Sequence, residues 1–175
     1  MQPVPNVVIV PAHDEDIPAI CGIDARRARA GLAPVETEAP TPKELRRRRL
    51  ELRSKHFPYL VAFYDNALVG YAYAGPYRDR RDQLTVEDCV CIDPAYAGKG
   101  IGQALLETLI HESEVRGFRR MMAVIGDRAS VRLHRRCGFA VVGSAGSAGE
   151  IYRRAIEPVL MQRPLGKADV TSAVA

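Results

Sequence analysis

The segment Gly98-Lys99-Gly100-Ile101-Gly102 is entered from the apolar run Cys89 to Ile92 and leads directly into the helical pattern Ile101 to Val115. A strand, a glycine turn and a helix start in that order restrict the chain to folds that pack helices on a sheet. They also make a site. The first amides of a helix have no partner within it, and the macrodipole favours an anion there, so a phosphorylated ligand is the expected occupant. Spacing excludes two common phosphate loops. The third glycine of the dinucleotide fingerprint would fall on Gln103, and the nucleoside-triphosphate loop would need a glycine at Asp93 and a Ser or Thr at Gly100. The residues by themselves leave an anion cradle without a named ligand, with an ordinary strand-to-helix turn as the alternative.

A chain of 175 residues is most simply one domain with a core of its own. Its 47% hydrophobic and 26% charged residues are ordinary for a globular protein. No apolar run approaches the ~20 residues that cross a bilayer, and Met1 to Asn6 lacks a charged-then-apolar leader, so neither export nor membrane insertion is expected. Cys21, Cys89, Cys91 and Cys137 form no disulfide-scaffold pattern, which suits a reducing cytoplasm. Cys89 and Cys91 would share a strand face, but His13, His56, His111 and His134 are scattered singly, and no metal is expected. The net charge of +4 comes largely from arginine clusters that suggest anionic partners. Arg46 to Arg49, however, would point around most of a helix, which predicts a solvated surface helix rather than a binding stripe. With aromatics at 6% and no nucleic-acid motif, a small anionic cofactor is expected and nucleic acid is not.

Strands and helices alternate along the chain. Val7 to Val10 reads as a strand, and Asp14 with Asp16 starts a helix reaching Ala30. Thr41-Pro42-Lys43-Glu44 is a capping box that opens a helix from Pro42 to Lys55. Tyr59 to Tyr64 and Leu68 to Ala74 form a hairpin around Asp65-Asn66-Ala67, and a longer strand runs from Leu84 to Ile92. The helix after the glycine loop is expected to pack through Ile101, Ala104, Leu105, Leu109 and Val115. Then follow a strand at Met121 to Ile125, a short helix at Ala129 to Cys137 ended by Gly138, and a strand at Phe139 to Val142. The last strand is expected at Glu157 to Gln162, with the chain fraying from Arg163.

Cys89 to Gly143, with the segment Leu133-His134-Arg135-Arg136-Cys137-Gly138-Phe139, resembles the acetyl-CoA-binding core of the GNAT superfamily of N-acetyltransferases. Gly70-Tyr71-Ala72-Tyr73-Ala74-Gly75-Pro76-Tyr77-Arg78, Thr85-Val86-Glu87, Val124-Ile125-Gly126-Asp127 and Val159 to Leu165 resemble the phosphinothricin and methionine sulfoximine N-acetyltransferases within it. The resemblance implies an α/β (α+β) fold with a mixed, mostly antiparallel sheet of about seven strands flanked by helices. That sheet is splayed between the strand ending near Asp93 and the strand Met121 to Ile125. It also implies a single domain over residues 1–165 with a flexible tail at 166–175, and a homodimer. Acetyl-CoA would be the co-substrate. Its pantetheine arm would pair with backbone groups of Val90, Cys91 and Ile92, and its pyrophosphate would meet the amides of Gly98, Lys99, Gly100, Ile101, Gly102 and Gln103. Lys99 either adds charge or faces solvent.

Acetyl transfer to an amine requires removal of a proton from the amine and stabilisation of the oxyanion and departing thiolate. Glu87 matches the family's catalytic glutamate and sits within a strand, where a carboxylate is rarely placed for packing. His134 matches the histidine of this subfamily and is expected as a neutral imidazole, with three roles open: orienting the amine, stabilising the oxyanion or protonating the leaving group. Arg78 and Arg80 follow Tyr77 in a loop, where arginines either clamp the carboxylate or phosphinate of an amino-acid-like substrate or remain solvated. Ala97 and Asp127 depart from the family pattern, Asp127 standing where an asparagine usually contacts CoA. The segment Glu150 to Ala155 also departs from it, and the chain has no tryptophan. The expected function is N-acetylation of a small amino-acid-like substrate by direct attack in a ternary complex. Acetylation of a protein N-terminus or another amine, and a CoA-binding module without catalysis, are the alternatives.

Overall fold

In the computed structural model, residues 6–32, 40–77, 82–144 and 158–166 are described. Strand β1 (Val7–Pro11) leads through a 3-10 turn at Asp14–Asp16 into α1 (Ile17–Arg29), followed by α2 (Pro42–Ser54), β2 (Tyr59–Tyr64), β3 (Ala67–Pro76) and β4 (Thr85–Ile92). After the glycine loop come α3 (Ile101–Val115), β5 (Arg120–Ile125), α4 (Arg128–Arg136), β6 (Ala140–Ser144) and β7 (Val159–Pro164). The seven strands form one sheet in the order β1-β2-β3-β4-β5-β7-β6. Every neighbouring pair is antiparallel except β4 with β5.

Local chemistry accounts for several boundaries. Thr41 Oγ1 accepts from the Glu44 amide at 3.3 Å while the Thr41 amide donates to Glu44 Oε2 at 2.8 Å, which closes the expected capping box. Asp65 and Asn66 both take positive φ, 47° and 65°, which suits the tight turn joining β2 to β3 and leaves Ala67 inside the strand. The last strand lies later than expected. Arg163 is inside β7, where its guanidinium donates to the Cys137 carbonyl oxygen, and the Leu165 amide bonds the Arg119 carbonyl at 2.8 Å. These long-range partners keep Arg163 to Leu165 in the body of the fold.

A core lies on each face of the sheet. On one face α3 buries Ile101, Leu105, Leu106, Leu109 and Ile110 against Leu60, Val69, Val86, Met121 and Met161. On the other, Ile17, Ile20 and Ile23 of α1 and Leu45 and Leu52 of α2 cover Tyr59, Val61, Tyr71 and Cys91. Val115 does not belong to the α3 stripe: it is 69% exposed. At about 100° per residue the buried arc is centred near Leu109, and Val115 falls beyond its edge.

Helix α2 is the surface helix expected, with Arg46, Arg47 and Arg48 exposed, but Arg49 departs from that pattern. Arg49 is 4% exposed, and its guanidinium donates to Asp14 Oδ1 at 2.9 Å and to the Ala12 carbonyl at 3.2 Å. Between Leu45 and Leu52 it occupies the buried stripe, with its charge met by an acid and a carbonyl from the β1 exit. Gly70 sets how closely α3 approaches the sheet. A Cβ there would lie 2.7 Å from Ile92 Cδ1, 3.0 Å from the Cys91 carbonyl oxygen and 3.1 Å from Leu105 Cδ1.

Candidate functional site

The parallel pairing of β4 and β5 is short: Thr85 with Arg120, Val86 with Met121 and Glu87 with Met122. Beyond Glu87 the strands part, and β4 continues to Ile92 paired with β3 alone. The result is a wedge-shaped opening in the sheet, bordered by β4 on one side and by Ala123 to Ile125 of β5 on the other. The Asp93 amide donates to the Val69 carbonyl at 2.8 Å, so the antiparallel alternation turns the backbone groups of Cys91 toward β3 and those of Val90 and Ile92 toward the opening. Of the three residues expected to meet an extended ligand, Val90 and Ile92 present main-chain groups to it.

At the end of this edge stands the glycine loop. Arg26 donates to Asp93 Oδ2 at 2.8 Å, Asp93 Oδ1 accepts from the Ala95 amide, and Arg27 reaches the Ile92 carbonyl at 3.4 Å. The arginines of α1 therefore fix the β4 exit from which the loop departs. Gly98 and Gly100 have φ of 78° and 81°, the left-handed region that a side chain would strain. Gly100 is the N-cap of α3. The amides of Gly98, Lys99, Gly100, Ile101 and Gly102 have no acceptor among the described residues, whereas the Gln103 amide donates to Gly100 O at 3.1 Å. Five open amides at the positive end of a helix fit a pyrophosphate. Lys99 Nζ lies 5.0 Å from the Tyr64 ring centroid and 5.5 Å from that of Tyr96, a cation–π position beside the loop. Asp127 caps α4, accepting from the Ser130 amide at 2.9 Å and from its hydroxyl at 2.7 Å.

The side chains of β4 alternate across the sheet, and this separates the two candidate catalytic residues. Glu87, half-buried, shares a face with Cys89 and Cys91, which pack in the cluster under α1 and α2. Val86, Val90 and Ile92 pack on the α3 side, the face to which Asp88 belongs and from which α4 brings His134. Glu87 and His134 thus approach the opening from opposite faces.

His134 is 3% exposed, and Phe139 packs edge-on against its ring at 5.0 Å. Its Nδ1 lies 2.8 Å from the Ser130 carbonyl oxygen and its Nε2 lies 2.8 Å from Asp88 Oδ2. Burial pulls its pKa down, but the hydrogen bond and charge of Asp88 outweigh burial and the net shift is upward. The carboxylate that favours the protonated ring comes from 46 residues away in sequence. Asp88 was not singled out from sequence. The available signal was the consecutive pair Glu87-Asp88 within a strand, which must send one acid to each face.

On the Glu87 face, Tyr59 pairs with Tyr73 and Tyr73 with Cys89, while Tyr71 pairs with Cys91, giving a band of three tyrosines and two thiols. Cys89 Sγ and Cys91 Sγ are 3.9 Å apart. Tyr71 donates to Asp24 Oδ1 at 2.5 Å, and the Arg48 guanidinium lies 5.9 Å from the centre of the Tyr73 ring. Burial raises the pKa of Asp24, against the Tyr71 hydrogen bond, and raises the Tyr59 phenol as well. The Tyr59 hydroxyl is buried without a hydrogen-bond partner among the described residues. Neither this band nor Arg48 was singled out from sequence, since period-two tyrosines read simply as strand. Arg78, Arg80 and the segment Glu150 to Ala155 lie outside the described residues. Among the described residues no group of three or more His, Cys, Asp or Glu is placed to hold a metal, and no helix is long and apolar enough to cross a membrane.

Comparison with known proteins matches residues 25–139 to the acetyltransferase (GNAT) family. Phosphinothricin N-acetyltransferase of Alcaligenes faecalis is 43% identical over 91% of this chain and 83% of its own length. L-methionine sulfoximine/L-methionine sulfone acetyltransferase of Pseudomonas aeruginosa is 33% identical over 84% of this chain and 88% of its own. Among solved structures, a phosphinothricin acetyltransferase from Sinorhizobium meliloti in complex with AcCoA superposes with a TM-score of 0.86 at 35% identity, covering 95% of this chain and 92% of that one.

Proposed function

The chain belongs to the GNAT family of acetyltransferases, and on that premise we propose that it transfers an acetyl group from acetyl-CoA to the amino group of a small, anionic, amino-acid-like substrate of the phosphinothricin or methionine sulfoximine type. The observation that carries this reading is the opening between β4 and β5, with its free edge at Val90 and Ile92 and the open amides of Gly98 to Gly102 beyond. The relatives named for these two substrates supply the acceptor class. Those residues suit the polar arm and pyrophosphate of CoA. When bound, acetyl-CoA supplies an activated acetyl thioester.

Glu87 acts on the acceptor side. From the face it shares with Cys89 and the tyrosine band, it receives the proton of the substrate ammonium, directly or through a water, and frees the nitrogen lone pair for direct attack. An ordinary glutamate is a weak base for an ammonium, which makes a water relay a natural route for the proton. The buried hydroxyl of Tyr59 has no partner among the described residues, and Arg48 places a positive charge on the same face. Arg78 and Arg80 complete an anion clamp for its carboxylate or phosphinate. On the donor side His134 is held by Asp88 and the Ser130 carbonyl, which fixes α4 beside the opening. The four free cysteines support a cytoplasmic setting, and exposed Val141 and Val142 on edge strand β6 support a homodimer.

A panel of amines supplied with acetyl-CoA, followed by thiol release, tests the reading. Turnover with phosphinothricin, methionine sulfoximine or close glutamate analogues is expected. Turnover confined to peptide N-termini would replace the acceptor class, as the likeness to a ribosomal-protein-alanine N-acetyltransferase from Brucella melitensis, at 30% identity and a TM-score of 0.83, makes worth including. CoA binding with no turnover on any amine would overturn the enzymatic reading.

A further inference from the structure

His134 has an acceptor at each ring nitrogen. A backbone carbonyl oxygen has no proton to give, so the contact of Nδ1 with Ser130 O at 2.8 Å requires an N–H at Nδ1. Nε2 meets a carboxylate oxygen of Asp88 at 2.8 Å, and with an ionised carboxylate it too must donate. Both side chains are buried, 4% and 2% exposed. The ring sits in the last turn of α4, where the helix dipole favours a cation. Asp88 is the first residue of β4 beyond its last pair with β5, Glu87 with Met122. At the point where β4 loses β5 as a neighbour, it gains α4.

We propose that Asp88 is a positioning residue: it holds His134 as a doubly donating imidazolium, and the pair is a clamp that ties α4 to β4 at the apex of the opening and so sets the donor cleft. This rests on the reading of that opening as the acetyl-CoA site. With both N–H groups committed, His134 has no lone pair for a substrate proton, and the exchange of protons with the acceptor falls to Glu87 on the other face. The charged groups around the ring agree with this state. Asp127 at the start of α4 favours the cation, while Glu107 of α3 and Arg163 of β7 act with opposite sign at neighbouring Cys137.

Nitrogen NMR of the His134 ring across a pH titration tests the clamp directly. In the parent protein both ring nitrogens are expected to carry protons at pH 7 and above the ~6.5 of a free histidine. In Asp88→Asn, whose amide oxygen can still accept from Nε2, the titration is expected to fall back to that value or below. A neutral ring at pH 7 in the parent overturns the proposal, and this measurement needs no variant to fold. The second arm is CoA binding and steady-state kinetics of Asp88→Asn and His134→Gln. Their loss is expected in the Kd for CoA and the KM for acetyl-CoA, by roughly tenfold, the scale of one charge-assisted hydrogen bond. Loss in kcat at saturating acetyl-CoA with unchanged CoA affinity would instead make His134 an acid or base and overturn the clamp. If the parent binds no CoA, the reading of the cleft fails while the titration still judges the ion pair.

Discussion

On the α3 side of β4 the buried polar side chains are met within the chain: Asp88 by His134, and His134 by the Ser130 carbonyl. On the α1 and α2 side, Glu87 shares its face with Tyr59, whose hydroxyl has no partner among the described residues, with two thiols 3.9 Å apart and with an arginine lying over a ring. The first arrangement is complete within the chain and rigid. The second leaves hydrogen-bonding capacity unspent, which is what a pocket for a variable polar molecule requires. Under the proposed function, the opening beside the first face takes the donor and the second face takes the acceptor.

Substitutions on the two faces should separate accordingly. The largest effect is expected for Glu87→Gln, which removes a base from the acceptor face: kcat should fall by about 10²- to 10⁴-fold, with CoA affinity unchanged by calorimetry. Unchanged turnover would dissolve the division of labour. Next is Gly70→Ala, behind the donor face, where the new methyl meets Ile92, Leu105 and a backbone carbonyl. Chemical denaturation should show a loss of about 1–3 kcal/mol, and relaxation of Ile92 should weaken CoA binding in the same protein.

A smaller effect concerns pH and the donor face. Because the folded pKa of His134 is raised above its unfolded value, its contribution to stability is full below the unfolded pKa and is lost as pH rises through the raised folded value. The difference in Tm between the parent and His134→Gln should therefore shrink on the alkaline side, and a difference that grows there would contradict the ion pair. Smallest is Tyr59→Phe on the acceptor face. Removing a buried unpartnered hydroxyl should leave stability within about 1 kcal/mol of the parent or raise it, while the KM for the amine rises. A clear loss of stability would mean that the hydroxyl is already satisfied in the free protein.

The strand, glycine loop and helix start were legible because they are built from neighbours. The glycine loop, the helix it opens and the strand before it are contiguous, and positive φ at Gly98 and Gly100 is a property of those residues. The capping box at Thr41 and the turn at Asp65-Asn66 were readable for the same reason. Arg49 departs from the solvated pattern expected, because counting apolar residues around a helix treats every arginine as solvated. Arg49 is buried since its stem lies on the stripe of Leu45 and Leu52, and Asp14, 35 residues earlier, meets its head. Val115 was misread in the opposite sense, because an apolar residue outside the buried arc has nothing to pack against.

By itself the sequence determined which segments form strands and helices, where an anion can bind and which carboxylate lies on a strand, since these depend on residues within a turn or two of each other. Only the tertiary structure decided that β4 parts from β5 after Glu87, that Glu87 and His134 lie on opposite faces, and that Asp88 is the partner of His134. Those outcomes depend on which distant surfaces are brought together as the sheet buries both its faces, and no local pattern of residues encodes a contact across 46 positions.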